Sequence, residues 1–375
     1  MEMVTFLSPR AYVRQYDFVR TLRSRHFHIY PGPECLFTFI YFFFIALRSD
    51  TVVIQIKKRH PGPIDLLRRI FPSRIRYIIE MEGDFEYERD YLRQHPYRPG
   101  FYDRELAMLT AHVAKLKTML GRADHVFVVS DSYRASIAQR YPDLCLMAKT
   151  SLMPVSYDDK KLAYSEERRR AHRRKLNLGD RLTLIYIGNA YYSWQNVKRT
   201  LQVFTLIKRE LRPDAFLMLL VNREDHSIVR EFIAEERLGP DDYLLGYAQH
   251  DEISDYLCAA DIGVMLRHDH PMNEILCLPG KLVDYLACGL PVLVTRAIQE
   301  LPETIRQKAY GLVLDDMDDD REVLAGIGPL LTHDAAKRRE ISAWAKGLFA
   351  ADRHIQSYVD VFTALTGAPA RETGA

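Results

Sequence analysis

Short apolar runs of strand length alternate with longer stretches of helical period along most of the chain. Val4 to Leu7, Phe27 to Tyr30, Val52 to Ile56, Ile75 to Ile79 and His125 to Val129 read as strands. Ala11 to Ser24, Leu36 to Leu47, Ile64 to Ile70 and Asp103 to Leu120 read as helices between them. Ser130-Asp131-Ser132 supplies a cap for a further helix from Tyr133 to Arg140. After a polar, charged connection from Tyr141 to Asp180, a second alternation begins at Leu182. Leu184 to Ile187, Ala215 to Val221 and Tyr243 to Gly246 are its strands; Asn196 to Glu210, Ser227 to Glu236 and Glu252 to Ala260 are its helices. Such alternation predicts parallel sheets covered on both faces, an α/β fold in two halves. The boundaries expected are 1–155, 156–350, and a C-terminal helix with a polar tail over 351–375.

The second half culminates in Asp261 to Arg296, which reads as strand, loop, short helix, tight turn and strand. Ile262 to Leu266 is a buried-strand run, and Arg267 opens the polar loop. Lys281 to Cys288 makes a two-turn helix with Leu282, Val283 and Leu286 at core spacing. Gly289 stops it, and Pro291 starts the next strand. Pro279-Gly280 forms the mouth of this helix, where the first N–H groups lack intrahelical partners and attract phosphate. Lys281 adds a positive charge there, and Asp284 lies one turn deeper on the same face. The pair suits a diphosphate and a ribose diol. On spacing alone the simpler reading is an exposed helix face with an i,i+3 ion pair.

Composition narrows the function. The 375 residues are 47% hydrophobic and 27% charged, normal for globular domains with room for two cores. With 52 basic against 50 acidic residues, the net charge of +2 gives no nucleic-acid signature. Basic charge is local, in Arg168 to Lys175, whose simplest reading is a solvated helix face. Five scattered cysteines without CxxC spacing argue against a disulfide scaffold or a zinc site and for a reducing compartment. No signal peptide is visible at the start. The most apolar segment, Leu36 to Leu47, has 12 residues, whereas a spanning helix needs about 20. It is expected to be a buried helix, with an apolar face resting on a membrane as the alternative.

Gly188-Asn189, just after the first strand of the second half, permits close approach of a ligand to the backbone. Neither GxGxxG nor GxxxxGK[ST] is present, so dinucleotide and P-loop chemistry lose their main support. Trp194-Gln195-Asn196 offers Asn196 as a cap for the next helix or a group for the cleft. Glu80-Met81-Glu82-Gly83-Asp84 follows a strand and can bind sugar hydroxyls or move a proton, or simply cap a helix. Asp315 to Asp320 reads as a solvated loop. His268 and His270 flank Asp269 without an apparent third metal ligand. No Gly-x-Ser-x-Gly elbow supports a serine hydrolase.

The segment from Ala259-Ala260-Asp261-Ile262-Gly263-Val264 through Pro279-Gly280-Lys281-Leu282-Val283-Asp284-Tyr285-Leu286-Ala287-Cys288-Gly289-Leu290-Pro291-Val292 resembles that of the GT-B glycosyltransferases, in particular family four, the group 1 glycosyl transferases. Ala123-Asp124-His125-Val126 with Val129-Ser130, Tyr186-Ile187-Gly188-Asn189, and Arg174-Lys175-Leu176-Asn177-Leu178 are similar to further family segments. The likeness is good over residues 120 to 310 and weak over the first hundred. It implies a GT-B architecture, two Rossmann-like parallel-sheet domains facing a central cleft, with a nucleotide-sugar donor held mainly by the second. It implies transfer with retention and no required metal or cofactor.

By the same resemblance, Asp284 binds the donor ribose, Lys281 and Gly280 neutralise the diphosphate, and Gly188 and Asn189 line it. Glu82 stands near the transferred sugar and, with Lys281, is the candidate catalytic pair. Arg267, Asn273 and Glu274 complete the candidate donor contacts. The chain departs from the pattern at three points. Leu276 stands where the family has a glutamate, with Glu274 two residues away; Asp284 replaces a longer acid; Gln195-Asn196 replaces a lysine-glycine pair, with Lys198 close. The expected function is a cytoplasmic glycosyltransferase acting on a glycan or lipid-linked acceptor in surface polysaccharide or glycolipid synthesis, in peripheral contact with anionic membrane at its inner face and with no nucleic-acid partner. A catalytically silent nucleotide-sugar-binding subunit and a GT-B-fold epimerase or phosphorylase are the alternatives.

Overall fold

The computed structural model describes residues 3–7, 27–31, 36–56, 64–275, 278–298, 301–332 and 334–367. The expected helix from Ala11 to Ser24 lies outside the described residues. The chain divides into two compact units. One comprises Met1–Glu80, Lys115–Phe127 and Val359–Ala375, the other Met81–Ala114 and Val128–Tyr358.

The first half follows β1 (Met3–Leu7), β2 (Phe27–Pro31), α1 (Leu36–Arg48), β3 (Val52–Ile56), α2 (Ile64–Ile70) and β4 (Ile75–Met81). It continues through α3 (Phe85–Gln94), α4 (Asp103–Arg122), β5 (His125–Val128), α5 (Asp131–Arg140) and β6 (Thr150–Leu152). β1 and β2 pair in parallel, and a four-stranded sheet runs β3-β4-β5-β6. β4 is buried almost without interruption, as a strand covered on both faces must be. Ser130 caps α5 by accepting from the Tyr133 N–H, so the helix starts two residues earlier than its apolar pattern predicts. Leu36 to Leu47 is helical as expected but not wholly buried. Phe42 and Ala46 face inward, while Ile40, Phe44 and Leu47 form an exposed stripe at i, i+4 and i+7.

The second half follows α6 (Glu166–Lys175), β7 (Thr183–Gly188), α7 (Val197–Glu210), β8 (Phe216–Val221), α8 (His226–Glu235) and β9 (Tyr243–Gly246). Then come α9 (Ile253–Ala259), β10 (Ile262–Met265), α10 (Pro271–Ile275), α11 (Gly280–Ala287) and β11 (Val292–Thr295). α12 (Pro302–Lys308), β12 (Gly311–Leu314), α13 (Asp320–Gly326), α14 (Ala335–Phe349) and α15 (Ile355–Thr366) complete it. The six strands run β12-β11-β10-β7-β8-β9, every pair parallel. Successive residues of β7 and β8 feed opposite faces: Ile185, Ile187, Met218 and Leu220 enter one core, Leu184, Tyr186, Leu217 and Leu219 the other. Strand order reverses between β7 and β10, and beyond their carboxyl ends such a reversal opens a crevice for ligands.

Gly263 of β10 lets α11 lie close to the sheet. A Cβ there would stand 2.6 Å from the Tyr285 ring. The Tyr285 hydroxyl accepts from the Ile187 N–H at 3.1 Å and donates to the Val264 carbonyl at 3.4 Å, so one buried side chain spans β7 and β10. α11 is thereby fixed beside the crevice.

Candidate active site

β7 ends at Gly188, whose φ of +105° is a conformation that L side chains rarely adopt. Lys281 of α11 lies over this Cα; a Cβ on Gly188 would stand 3.6 Å from both Cε and Nζ, ordinary contact, so the backbone conformation and not the space calls for glycine. The Lys281 ammonium donates to Gln195 Oε1 at 2.6 Å and to the Tyr186 hydroxyl at 2.8 Å, and lies 4.3 Å from the Tyr186 ring centroid. The Tyr186 hydroxyl in turn donates to the Asn189 carbonyl at 2.7 Å. A lysine from α11 is thus held over the end of β7 by neutral groups only.

Two charged neighbours set its electrostatics. Burial of the ammonium pulls its pKa well below the usual lysine range, the Arg267 guanidinium adds to the pull, and Asp284 opposes it. Burial likewise pushes the Asp284 carboxyl up to about 7, against the Lys281 charge. Asp284 accepts no hydrogen bond from a described residue, and both side chains keep a partly exposed surface. At the mouth of α11, Pro279 occupies the N-cap position without a side-chain cap. The Leu282 N–H reaches the Pro279 carbonyl at 2.9 Å, while those of Gly280 and Lys281 find no acceptor among the described residues. An under-compensated ammonium, two N–H groups with no acceptor among the described residues and a carboxyl with no donor among them therefore lie where the strand order reverses. That combination attracts a polyanion attached to a group with hydroxyls.

The other candidates fall into three sets. Arg267 follows β10, donates to Asn273 Oδ1 at 2.9 Å and is tied through its backbone to Thr295 at 3.1 and 2.9 Å. Asn273 is buried and passes its own amide to the His268 carbonyl at 2.8 Å, so it serves to aim Arg267. Asn189 spends its side-chain oxygen on the N–H groups of Tyr191 (2.8 Å) and Tyr192 (3.2 Å), shaping the loop after β7. Glu82 is exposed in the turn between β4 and α3. Its neighbour Asp84 is the fully buried N-cap of α3 and pairs with Arg140 at 2.9 Å, the capping alternative of the acidic stretch. Glu274 lies on α10 with its side chain outside the described ones, and Leu276 is outside the described residues.

Asn196 does not cap α7 through its side chain. It adopts φ +47° at the N-cap position, and its amide turns to the Met317 sulfur. In the acidic run, Asp319 caps α13 and Arg199 binds Asp320 at 2.8 Å.

Sequence reasoning missed Tyr186 as a lysine partner, and of α3 it offered only the cap at its start, not the helix that follows. From α3, the fully buried Tyr91 packs among His95, Trp194, His268 and His270 at ring distances of 4.7 to 6.1 Å. His95 stacks on His268 at 5.3 Å, and burial together with His95 holds His268 and His270 below the usual imidazole range. Among the described residues no group of three such side chains is arranged to hold a metal ion.

Residues 168–347 match the family model described as glycosyl transferases group 1. No curated protein sequence matches the chain. Among solved structures, a glycosyltransferase from Rickettsia africae is 13% identical with a TM-score of 0.65, the match covering 98% of this chain and 91% of that one. Sucrose-phosphate synthase from Thermosynechococcus elongatus is 18% identical with a TM-score of 0.63, covering 88% and 78%. The Anabaena protein HepE, solved with UDP-glucose, is 11% identical with a TM-score of 0.64, covering 97% and 100%. Residues 168–347 thus resemble the glycosyl transferases group 1, in a chain with the fold of the GT-B glycosyltransferases.

Proposed function

We propose that the protein transfers a sugar from a nucleotide-sugar donor, bound at Lys281, Arg267 and the mouth of α11, to a glycan or lipid-linked acceptor in surface polysaccharide or glycolipid synthesis. The observation that carries this reading is the Lys281 ammonium. It is half-buried beside Gly188, hydrogen-bonded only to neutral partners, with its charged form offset only in part by Asp284 until an anion arrives. A leaving diphosphate is such an anion. Lys281, Arg267 and the two N–H groups supply the field that stabilises it as the glycosidic bond breaks, so this reading assigns that task to protein groups rather than to a metal. Asp284 takes the ribose diol, and Glu82 is assigned to the transferred sugar. Retention of configuration rests on the family resemblance. The UDP-glucose held by the Anabaena protein of the same fold supports a nucleotide-sugar donor.

The location proposed is cytoplasmic, in peripheral contact with an anionic membrane. Among the described residues no helix is long and apolar enough to cross one. Ile40, Phe44 and Leu47 of α1 are exposed, as are Leu66 and Ile70 of the adjoining α2, and apolar groups so exposed suit shallow insertion.

A second reading, a silent nucleotide-sugar-binding subunit, is favoured by one observation: Gln195, standing where the family has a lysine, is committed to holding Lys281. Release of nucleoside diphosphate from UDP-, GDP- and ADP-sugars, measured with a panel of glycan and lipid-linked acceptors, separates the two. Acceptor-dependent release supports the transferase. Tight donor binding with no release or transfer across the panel supports the silent subunit.

A further inference from the structure

At the amino ends of the same strands, opposite the donor site, lies a cavity of about 310 Å³ lined by Arg169, Arg170, Arg173, Arg212 and Arg338, with Asp180, Asp261 and three leucines. β7 alone is six residues long, so the two ends of the sheet are roughly 20 Å apart. The basic helix α6 is therefore not simply a solvated face. Its Arg169 and Arg173 turn inward and clasp Asp261 at 2.5 and 3.2 Å.

Asp261 is satisfied several times over. It also accepts from the Thr183 N–H at 2.8 Å, and Arg338 of α14 approaches it at 3.5 Å. Burial raises the carboxyl pKa, but Arg169, Arg173 and Arg338 together outweigh this and hold it below the usual range. One carboxylate cannot balance three guanidinium groups. Arg169 and Arg173 spend their remaining donors on the carbonyls of Cys258, Ala259, Ala260, Gly179 and Arg181.

Arg338 is the group left over. It is 3% exposed, its Nη2 reaches the Ala260 carbonyl at 2.9 Å, and its Nη1 has no hydrogen-bond partner among the described residues. Burial and the neighbouring Arg169 pull its pKa down to about 10, unusual for a guanidinium. Nearer the solvent, Arg170 pairs with Glu166 at 2.9 Å and Arg212 with Asp214 at 2.9 Å. These are exposed pairs that a stronger anion displaces at little cost. Two lining carboxylates oppose an anion, Asp180 and Asp261, the second already offset by the guanidinium groups around it.

We propose that this cavity is a binding site for a phosphomonoester dianion, separate from the donor site, with Arg170, Arg212 and Arg338 closing on the phosphate and the wall of Leu182, Leu330 and Leu331 receiving the organic part. A planar guanidinium presents paired N–H groups to phosphate oxygens, and a dianion supplies the charge that Asp261 alone does not. The group is carried either by a small soluble molecule or by a lipid headgroup. α14 also reaches the far end of the donor helix, where Ser342 donates to the Ala287 carbonyl at 2.5 Å.

The test is calorimetric titration of the full chain with inorganic phosphate and with glycerol 3-phosphate. Three proteins are compared: wild type, the double variant Arg170→Glu with Arg212→Glu, and Lys281→Ala, which removes the donor-site cation. Saturable binding that weakens about tenfold or more in the double variant and changes less than about twofold in Lys281→Ala is the expected result. Arg338→Met, checked for native circular dichroism, is expected to lose binding as well. Phosphatidylcholine vesicles with and without phosphatidic acid distinguish the sources. Co-sedimentation requiring phosphatidic acid and lost in the double variant assigns the lipid headgroup; glycerol 3-phosphate binding without co-sedimentation assigns the soluble molecule. Absence of binding to either phosphate form, or binding abolished by Lys281→Ala and untouched by the arginine variants, overturns the proposal.

Discussion

Lys281 donates to Gln195 across 2.6 Å and so ties α11 to the loop that follows β7. The contact holds the ammonium over Gly188 before any ligand arrives, which lowers the ordering cost of binding an anion there. Gln195→Met keeps the length and removes the acceptor. Its donor dissociation constant is expected to rise about threefold to tenfold, with a melting temperature near that of wild type. Isothermal titration with the preferred nucleotide sugar reads the first quantity, and calorimetric unfolding the second. An unchanged constant shows that the contact does not position the lysine.

The sheet and the helix mouth were legible in sequence because their signals are local. Ile262 to Leu266, Lys281 to Cys288 and Pro291 to Val294 carry apolar spacing and Gly/Pro stops that depend on nothing distant. Asp284 and Lys281 are likewise readable as one face of one helix. The partners of Lys281 are not, because Tyr186 and Gln195 lie 95 and 86 residues away in sequence and meet it only through the order of β7 and β10. The start of α3 was legible as a cap, but its body was not, for a different reason. FEYERDYLRQ is mostly charged, and only Phe85, Tyr91 and Leu92 are buried, too few to show a helical stripe against the glutamates and arginines. The inward arginines of α6 were read as solvated because Asp261, their counter-charge, is about ninety residues downstream.

Asp284 makes stability depend on pH. Its carboxyl is pushed from 3.8 in the unfolded chain up to about 7 in the fold, so the fold prefers the protonated form. That contribution is complete below the unfolded value and is lost as pH rises through about 7. Asp284→Asn removes the dependence. Its stability relative to wild type is expected to grow by on the order of 2–4 kcal/mol between pH 4 and 7.5, read by urea denaturation at each pH. A difference that stays flat over this window contradicts the assigned environment.

Gly188→Ala tests the close approach at the end of β7. The φ of +105° penalises any L side chain, and the new methyl would sit 3.6 Å from the Lys281 ammonium. A loss of about 1–2 kcal/mol in unfolding free energy is expected, with weaker donor binding. Full stability together with wild-type donor affinity would show that neither the backbone conformation nor the space above it matters.

The clasp around Asp261 is a structural matter independent of any ligand. Asp261→Ala leaves Arg169, Arg173 and Arg338 facing one another with no carboxylate between them. Removal of one partner from a buried ion network costs about 3–5 kcal/mol. Chemical denaturation is expected to show a loss of that size. A loss below about 1 kcal/mol would mean that backbone carbonyls and solvent already carry the three charges.

The central claim is that the Lys281 group holds the diphosphate of a nucleotide sugar. Calorimetric titration of UDP-, GDP- and ADP-sugars into wild type and Lys281→Ala addresses it most directly. Saturable binding of at least one donor by wild type, weakened about tenfold or more in a folded Lys281→Ala protein, is the result expected. Binding of none of the three donors, or equal affinity in the two proteins, would contradict it.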